Sequence, residues 1–151
     1  MKTYLFTCFL FIMSSAGAQS VNSESEIKAA INKLFEAMHT NDSAMLVGCF
    51  SENAVLQTIQ EKKDGKVIVK TESITEFGSS VQKAFKGALD ERAEFEMIKI
   101  DGPLASVWTP YKFYYQGKFL HCGVNSFQMV KRDGTWKIQY LTDTRRKEGC
   151  N

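Results

Sequence analysis

Residues 118–140 read KFLHCGVNSFQMVKRDGTWKIQY, and this stretch decides the fold class. Two runs of alternating apolar and polar residues flank Asp133-Gly134, a dipeptide typical of a two-residue hairpin turn. Such a turn also determines which residues lie opposite each other: Met129 and Ile138, Phe127 and Tyr140, Asn125 and Thr142. The large apolar side chains then share one face with Trp136, so we predict that this face meets the core.

The chain on either side of this hairpin continues the same pattern. Residues 91–143 show no helical periodicity of comparable quality and predict four strands, at about 92–101, 104–115, 118–131 and 135–143. The turns between them lie at Asp101-Gly102-Pro103, Gln116-Gly117 and Asp133-Gly134. Tight turns make consecutive strands antiparallel, so this half of the chain is a meander.

The first half of the chain carries helix signals between short strands. Capping-box patterns at Ser23-x-x-Glu26 and Ser73-x-x-Glu76 open amphipathic helices that end near His39 and Gly87. A short helix over 44–50 and strands over 51–60 and 66–71 lie between them. Three helices packed on a strongly curved antiparallel sheet make an α+β fold.

The amino terminus predicts export. Lys2 precedes an apolar run at 4–13, and Ala16-Gly17-Ala18 matches the small-residue rule for signal-peptide cleavage. The run is about half of the ~20 residues that span a bilayer, so we expect no stable membrane insertion. We predict a cleaved signal peptide at 1–18, a flexible segment at 19–25, one domain at 26–145 and a tail at 146–151. The mature protein would be periplasmic or secreted.

The charge of the chain limits which partners we expect, and its cysteine content limits how many disulfide bonds it can form. The chain has 19 basic and 17 acidic residues, and loss of Lys2 with the signal peptide leaves 18 basic ones. Without a basic stripe, nucleic acid is not an expected partner. Cys49, Cys122 and Cys150 remain after cleavage, so at most one intramolecular disulfide bond can form in an oxidising compartment.

The order of elements resembles the nuclear transport factor 2-like superfamily over residues 26–142. Three stretches carry the resemblance: the helix end at 46–50 running into SENAV at 51–55, the strand that begins LASVW at 104–108, and DGTWKI at 133–138. The superfamily includes SnoaL-like and ketosteroid isomerase-like proteins. The closing Asp143-Thr144-Arg145 is similar to an exported branch labelled lumazine-binding-like.

The resemblance implies a cone-shaped fold with a pocket at its open end, and a homodimer formed through the outer sheet face. It does not imply one activity, because unrelated functions share this scaffold. Ketosteroid isomerase-like chemistry would need a carboxylate base within 54–58, which reads AVLQT here. Gln57 or Thr58 would occupy the position of the base, and neither removes a proton at neutral pH.

The inner face of the predicted sheet supplies candidate site residues. On strand 118–131 this face carries Phe119, His121, Gly123, Asn125, Phe127 and Met129. The facing strand has two possible orientations. A two-residue turn brings Trp108 and Tyr114 beside His121, whereas a three-residue turn with a bulge brings Val107, Tyr111 and Phe113 there.

His121 is the candidate for chemistry, since a neutral imidazole can act as acid, base or hydrogen-bond partner. A dyad with Cys122 is disfavoured, because adjacent strand residues point to opposite faces. His39 and His121 lack metal-ligand spacing, so we predict neither a metal nor a cofactor. The predicted ligand-binding residues are Gln57, Trp108, Tyr111, His121, Asn125 and Tyr140.

Two charged residues close the last strand. The predicted register places Asp143 and Arg145 opposite Val124 and Cys122, on the outer face of the sheet. We expect them to pair at the surface or to hold the tail, outside any site.

These features favour an exported homodimer that binds a small, partly apolar molecule on the concave side of the sheet. The first alternative is a lyase, isomerase or hydrolase that uses His121 as its general base. The second is an interaction module that recognises another exported protein through the outer sheet face. The sequence identifies neither a ligand nor a reaction.

Overall fold

The computed structural model describes residues 16–150, in which three helices and a seven-stranded sheet make the expected α+β arrangement. The helices are α1 (Ala16–Thr40), α2 (Ser43–Gly48) and α3 (Ile74–Lys83). The strands are β1 (Phe50–Glu61), β2 (Val67–Glu72), β3 (Leu89–Ala93), β4 (Met97–Asp101), β5 (Leu104–Tyr115), β6 (Lys118–Arg132) and β7 (Thr135–Arg145).

The sheet is curved, unclosed and mixed. Its strands follow the order β2-β1-β7-β6-β5-β3, and β4 pairs with the first half of β5. The predicted meander is antiparallel, but β1 lies parallel to β7, so the wholly antiparallel sheet that we expected is wrong in this one pairing. The predicted strand 92–101 is divided into β3 and β4, because residues 94–96 leave regular strand structure.

Helix boundaries follow their capping residues in two of three cases. Asp42 caps α2 by accepting a hydrogen bond from the Met45 backbone N–H. Ser73 and Glu76 form the predicted capping box of α3. Helix α1 already includes Ala16, the first described residue, so Ser23 lies inside the helix and does not open it. The segment 19–25 is helical, and its flexibility stays a prediction. Residues 1–15 of the predicted signal peptide lie outside the described residues.

We expect Ser73→Ala to lower the free energy of unfolding by about 1 kcal/mol, because the Glu76 backbone N–H loses its acceptor. Urea denaturation measures the change. Ser79→Ala is the matched control, since Ser79 lies inside α3 and bonds only to the Thr75 carbonyl. Equal losses in the two variants would contradict a capping role for Ser73.

The core lies between the helices and the concave face of the sheet. Helix α1 buries one stripe, as its apolar spacing predicts: Ile27, Ile31, Leu34 and Met38. Strands β5, β6 and β7 bury Val107, Phe127, Met129, Trp136 and Ile138 against it. None of the helices within residues 16–150 is long and apolar enough to cross a membrane.

The carboxyl-terminal segment is tied to the sheet rather than free. Cys122 and Cys150 form a disulfide bond, and Cys49 is buried and unpaired among the residues that the structure describes. Arg146 also exchanges two backbone hydrogen bonds with Cys122, each of 2.9 Å. The one intramolecular disulfide bond that the cysteine count allows is therefore present, and the predicted tail is attached to β6 at Arg146 and Cys150.

Candidate functional site

A cavity of about 180 Å³ lies between α1, α3 and the concave face of the sheet. Its walls are mainly apolar and rich in aromatic rings; the apolar residues are Leu34, Phe35, Met38, Leu56, Phe77, Val81, Leu89, Phe113, Phe127 and Leu141. Its polar lining residues are Glu72, Ser80, Glu91, Tyr111, His121, Asn125, Asp143 and Arg145. An apolar wall with a few convergent polar groups is typical of a small-molecule site.

A bulge in β7 decides which polar residues reach the cavity. Strands β6 and β7 keep the predicted register up to Ile138 and then shift, so that Gln139 has no partner. Beyond the bulge, Asn125 lies opposite Asp143. Asp143 and Arg145 therefore turn to the inner face, and our prediction that they lie on the outer face is wrong because its register contained no bulge.

A second bulge settles the orientation of β5. Phe113 lies opposite His121 and Tyr114 lies opposite Phe119, which leaves Leu120 as the extra residue. Tyr111 and Phe113 consequently face inward, as the bulged alternative predicts. The turn itself keeps two residues, and the bulge lies in β6 beside it.

The structure brings three of the six predicted ligand-binding residues to the cavity: Tyr111, His121 and Asn125. The other three lie on the outer face. Trp108 is 40% exposed there. The Tyr140 hydroxyl donates to Gln57 Oε1 at 2.7 Å, so these two side chains bond to each other instead of lining the cavity. The register shift at Gln139 turns Tyr140 outward. Gln57 points outward because its neighbours in β1, Leu56 and Thr58, point inward.

Asp143 is buried, and its carboxylate is bonded by three donors. Thr58 Oγ1 donates to Oδ1 at 2.5 Å, while Arg145 Nε and the Tyr111 hydroxyl donate to Oδ2 at 2.7 and 3.1 Å. This carboxylate comes from β7, and Thr58 on the neighbouring strand β1 is one of its donors. This set of bonds holds a negative charge at the cavity wall.

Tyr111 connects Asp143 to His121. Its hydroxyl lies 2.9 Å from the Thr144 carbonyl oxygen, 3.1 Å from Asp143 Oδ2 and 3.3 Å from His121 Nδ1. Burial and the Asp143 charge raise the pKa of Tyr111, so the hydroxyl keeps its single proton for one of the two oxygens. The hydroxyl oxygen is then an acceptor for His121 Nδ1–H, which leaves Nε2 as the acceptor of the ring.

Two effects keep the His121 ring neutral at pH 7. Burial and then the nearby Arg145 charge lower its pKa, although Asp143 acts in the opposite direction. The ring stacks on Phe113, with centroids 5.0 Å apart and planes at 19°. Its orientation is therefore fixed from two sides, by Phe113 and Tyr111.

Glu91 is one of the cavity residues that the sequence did not predict, together with Glu72 and Ser80. Asn125 Nδ2 donates to its Oε1 at 2.7 Å. Burial raises the pKa of Glu91 to about 7, with the Asp143 charge adding to the shift and the Asn125 bond opposing it. A signal was present: Leu89, Glu91 and Ala93 share one strand face, and a carboxylate between apolar residues on an inward face is unusual.

Gly123 allows these groups to meet. A Cβ atom at this position would overlap the Thr144 carbonyl and lie 2.9 Å from Tyr111 Cε1. The end of β7 therefore crosses close to β6, where the Val124 backbone N–H bonds the Thr144 hydroxyl at 3.1 Å. This crossing directs the Thr144 carbonyl toward Tyr111.

No group of three or more His, Cys, Asp or Glu side chains within 16–150 is placed to hold a metal ion. The polar groups of the cavity can instead supply hydrogen bonds, charge and proton transfer. An ionised carboxylate, a carboxyl that titrates near neutral pH and a neutral imidazole line one space.

No protein-family model matches the chain, and no curated protein matches it in sequence. Solved structures match it in fold. An NTF2-like protein with a cystatin-like fold from Novosphingobium aromaticivorans superposes with a TM-score of 0.70 at 11% identity, covering 89% of this chain and 88% of that chain. An NTF2-like protein of unknown function from Shewanella baltica OS155 gives 0.68 at 19% identity, covering 85% and 97%.

A third structure, an NTF2-like protein of unknown function from Methylobacillus flagellatus KT, gives a TM-score of 0.62 at 16% identity, covering 83% of this chain and 94% of that chain. The chain therefore has the nuclear transport factor 2-like fold, and the resemblance drawn from its sequence is confirmed at the level of the fold. The SnoaL-like and lumazine-binding-like branches stay predictions.

Proposed function

We propose that this protein binds a small, partly apolar molecule in the cavity between α1, α3 and the sheet. The observation that carries the proposal is the composition of the cavity wall, which combines aromatic and aliphatic side chains with a convergent polar group on the sheet side. A volume of about 180 Å³ corresponds to about six water molecules. It therefore suits a ligand with a single ring and a short substituent.

We further propose that the protein acts as an exported homodimer. Export is supported by the charged start, apolar run and cleavage rule at 1–18. It is also supported by the Cys122–Cys150 bond, which an oxidising compartment preserves. Dimerisation through the outer sheet face is supported by three exposed apolar side chains there: Met97, Leu104 and Trp108.

An acid–base enzyme is the second candidate, and one observation favours it. His121, which is neutral at pH 7, and Glu91, whose pKa is raised to about 7, line the same cavity. Groups that exchange protons near the operating pH are suited to general acid–base catalysis. In a lyase, isomerase or hydrolase of this kind, His121 would be the base.

A cavity-blocking variant tests the binding proposal. Ser80 is exposed on α3 and lines the cavity, so Ser80→Trp should fill it while leaving the buried core in place. Ser79→Trp is the matched control, since Ser79 is also exposed on α3 but does not line the cavity. We expect native mass spectrometry to detect a small molecule bound to the wild type and to Ser79→Trp, with at least a tenfold lower occupancy in Ser80→Trp.

The same spectra report the oligomeric state. A mass of twice the mature chain supports the dimer, and a monomer at micromolar concentration contradicts it. Equal ligand occupancy in Ser80→Trp and Ser79→Trp would place the bound molecule outside the cavity.

A further inference from the structure

We propose that the cavity selects a small organic cation, a protonated amine on a single apolar ring, and that the Glu91 carboxylate is its counterion. This inference rests on the proposed binding function and names the chemical class of the ligand.

The charges around the cavity favour a cation. Three carboxyl groups line it, from Glu72 on β2, Glu91 on β3 and Asp143 on β7, against the single guanidinium of Arg145. Arg145 is already committed to Asp143 through its 2.7 Å bond. Within the described part of the chain, neither Glu72 nor Glu91 forms an ion pair. The cavity therefore has excess negative charge for a ligand to balance.

Two hydrogen-bonding atoms on the sheet side of the cavity, Glu91 Oε2 and His121 Nε2, are free acceptors. Glu91 Oε1 accepts from Asn125, while Oε2 has no donor among residues 16–150. His121 Nε2 is the acceptor of its ring when Nδ1–H bonds Tyr111. An ammonium group has three donors and no acceptor, so it complements these atoms. A carboxylate ligand would place its own acceptors against them.

The aromatic rings complete the complementarity. Four phenylalanine rings line the cavity: Phe35, Phe77, Phe113 and Phe127. Their faces attract a cation, and their area accommodates the apolar ring that carries it. Phe113 lies directly opposite Glu91 across β3 and β5, which places one ring beside the carboxylate. A ligand with a charged end and a ring can therefore satisfy both surfaces together.

Binding of a cation should be linked to the proton of Glu91. With no counterion, burial holds the pKa of Glu91 at about 7, so the carboxyl is largely protonated at pH 6 and ionised at pH 8. A bound cation favours the ionised form. The affinity for a permanently protonated amine should consequently rise from pH 6 to pH 8, by about tenfold, since only the ionised fraction is competent.

Other titratable and charged groups line the cavity together with Glu91. They are Tyr111 on β5, His121 on β6, Asp143 and Arg145 on β7, and Glu72 on β2; α1 and α3 contribute apolar side chains and Ser80. The pKa of Tyr111 is raised, so it keeps its proton. Burial lowers the pKa of His121, and any charge that the ring gained at lower pH would also repel a cation. The variant Glu91→Gln keeps His121, so it separates the two groups.

Three probes of matched shape test the proposal by isothermal titration calorimetry: benzylamine, benzyl alcohol and benzoate, which are cationic, neutral and anionic on the same ring. At pH 8 we expect benzylamine to bind at least tenfold more tightly than benzyl alcohol, and benzoate more weakly than either. Benzylamine stays protonated between pH 6 and pH 8, so a change in its affinity reports on the protein.

Glu91→Gln removes the counterion and keeps the acceptor of the Asn125 bond. We expect this variant to bind benzyl alcohol as the wild type does, to lose the preference for benzylamine and to lose the pH dependence. Asp90→Asn makes the same chemical change at the next residue, which pairs with Arg92 instead, and should keep both properties.

The outcomes separate the inference from the proposed function. Tighter binding of benzyl alcohol or benzoate than of benzylamine overturns the cation inference but leaves a small-molecule cavity. An undiminished benzylamine preference in Glu91→Gln also overturns it. Failure of all three probes to bind the wild type contradicts both the inference and the single-ring ligand on which it rests.

Discussion

Gly123→Ala is expected to lower the free energy of unfolding by about 4 kcal/mol or more, a loss at the upper end for a single substitution. The added methyl group would overlap the Thr144 carbonyl and crowd the Tyr111 ring. Backbone cannot move aside as a flexible side chain can, so the end of β7 must leave β6. Its departure breaks the bond from Tyr111 to Thr144 and disturbs the bonds that hold Asp143.

Guanidinium denaturation followed by fluorescence measures this loss. Gly48→Ala is the control, because a Cβ atom there meets nothing within 4 Å and the residue lies at the end of a helix. We expect its stability to stay within about 0.5 kcal/mol of the wild type. If Gly123→Ala is as stable as Gly48→Ala, the close crossing of β7 over β6 is not a feature of the protein in solution.

Glu91→Gln is expected to raise the free energy of unfolding by roughly 2 to 3 kcal/mol above pH 7, and to change it little at pH 4. Burial raises the pKa of Glu91 from 4.5 to about 7 in the folded chain. Between these values the folded chain keeps a proton that the unfolded chain has released. Wild-type stability should therefore fall as the pH rises from 4.5 to 7, and glutamine, with no proton to lose, should abolish this contribution.

The difference between the two pH profiles isolates Glu91. His121 has a lowered pKa, so it contributes a change of opposite sign, in which stability is lost as the pH falls. That contribution is common to wild type and variant and cancels in the difference. A difference that stays flat from pH 4 to pH 8, or that favours the wild type at pH 8, would show that the Glu91 carboxyl remains solvated in the folded protein.

The sequence predicts the strands β5, β6 and β7 because alternation and turn chemistry act over a few residues. Asp133-Gly134 and Gln116-Gly117 both adopt positive φ angles, as two-residue hairpin turns require. Turn geometry determines the pairing only near the turn. Bulges at Leu120 and Gln139 change it farther along, and they depend on how the sheet curves over the helices, which a local pattern does not reveal.

The inward orientation of a side chain was predictable only where alternation ran without interruption along its strand. His121 and Asn125 lie on β6, whose inner face is marked by Phe127 and Met129, so their orientation follows from alternation alone. Asp143 lies beyond a bulge and was assigned to the wrong face. Glu91 comes from a short strand whose place in the sheet depends on tertiary pairing with β5.

The extra residue Gln139 in β7 makes the set of polar groups in the cavity sensitive to the deletion of a single residue. Since side chains alternate along a strand, one inserted residue inverts the parity of everything that follows, here residues 140–145. Deletion of Gln139 would turn the Asp143 carboxylate and the Arg145 guanidinium away from the cavity and would present Thr142 and Thr144 there instead. The helices and the strand order would stay the same. An in-frame deletion could thus exchange the chemistry of the cavity in one genetic step, and an alignment that tolerates a gap there would equate residues that face opposite sides of the sheet.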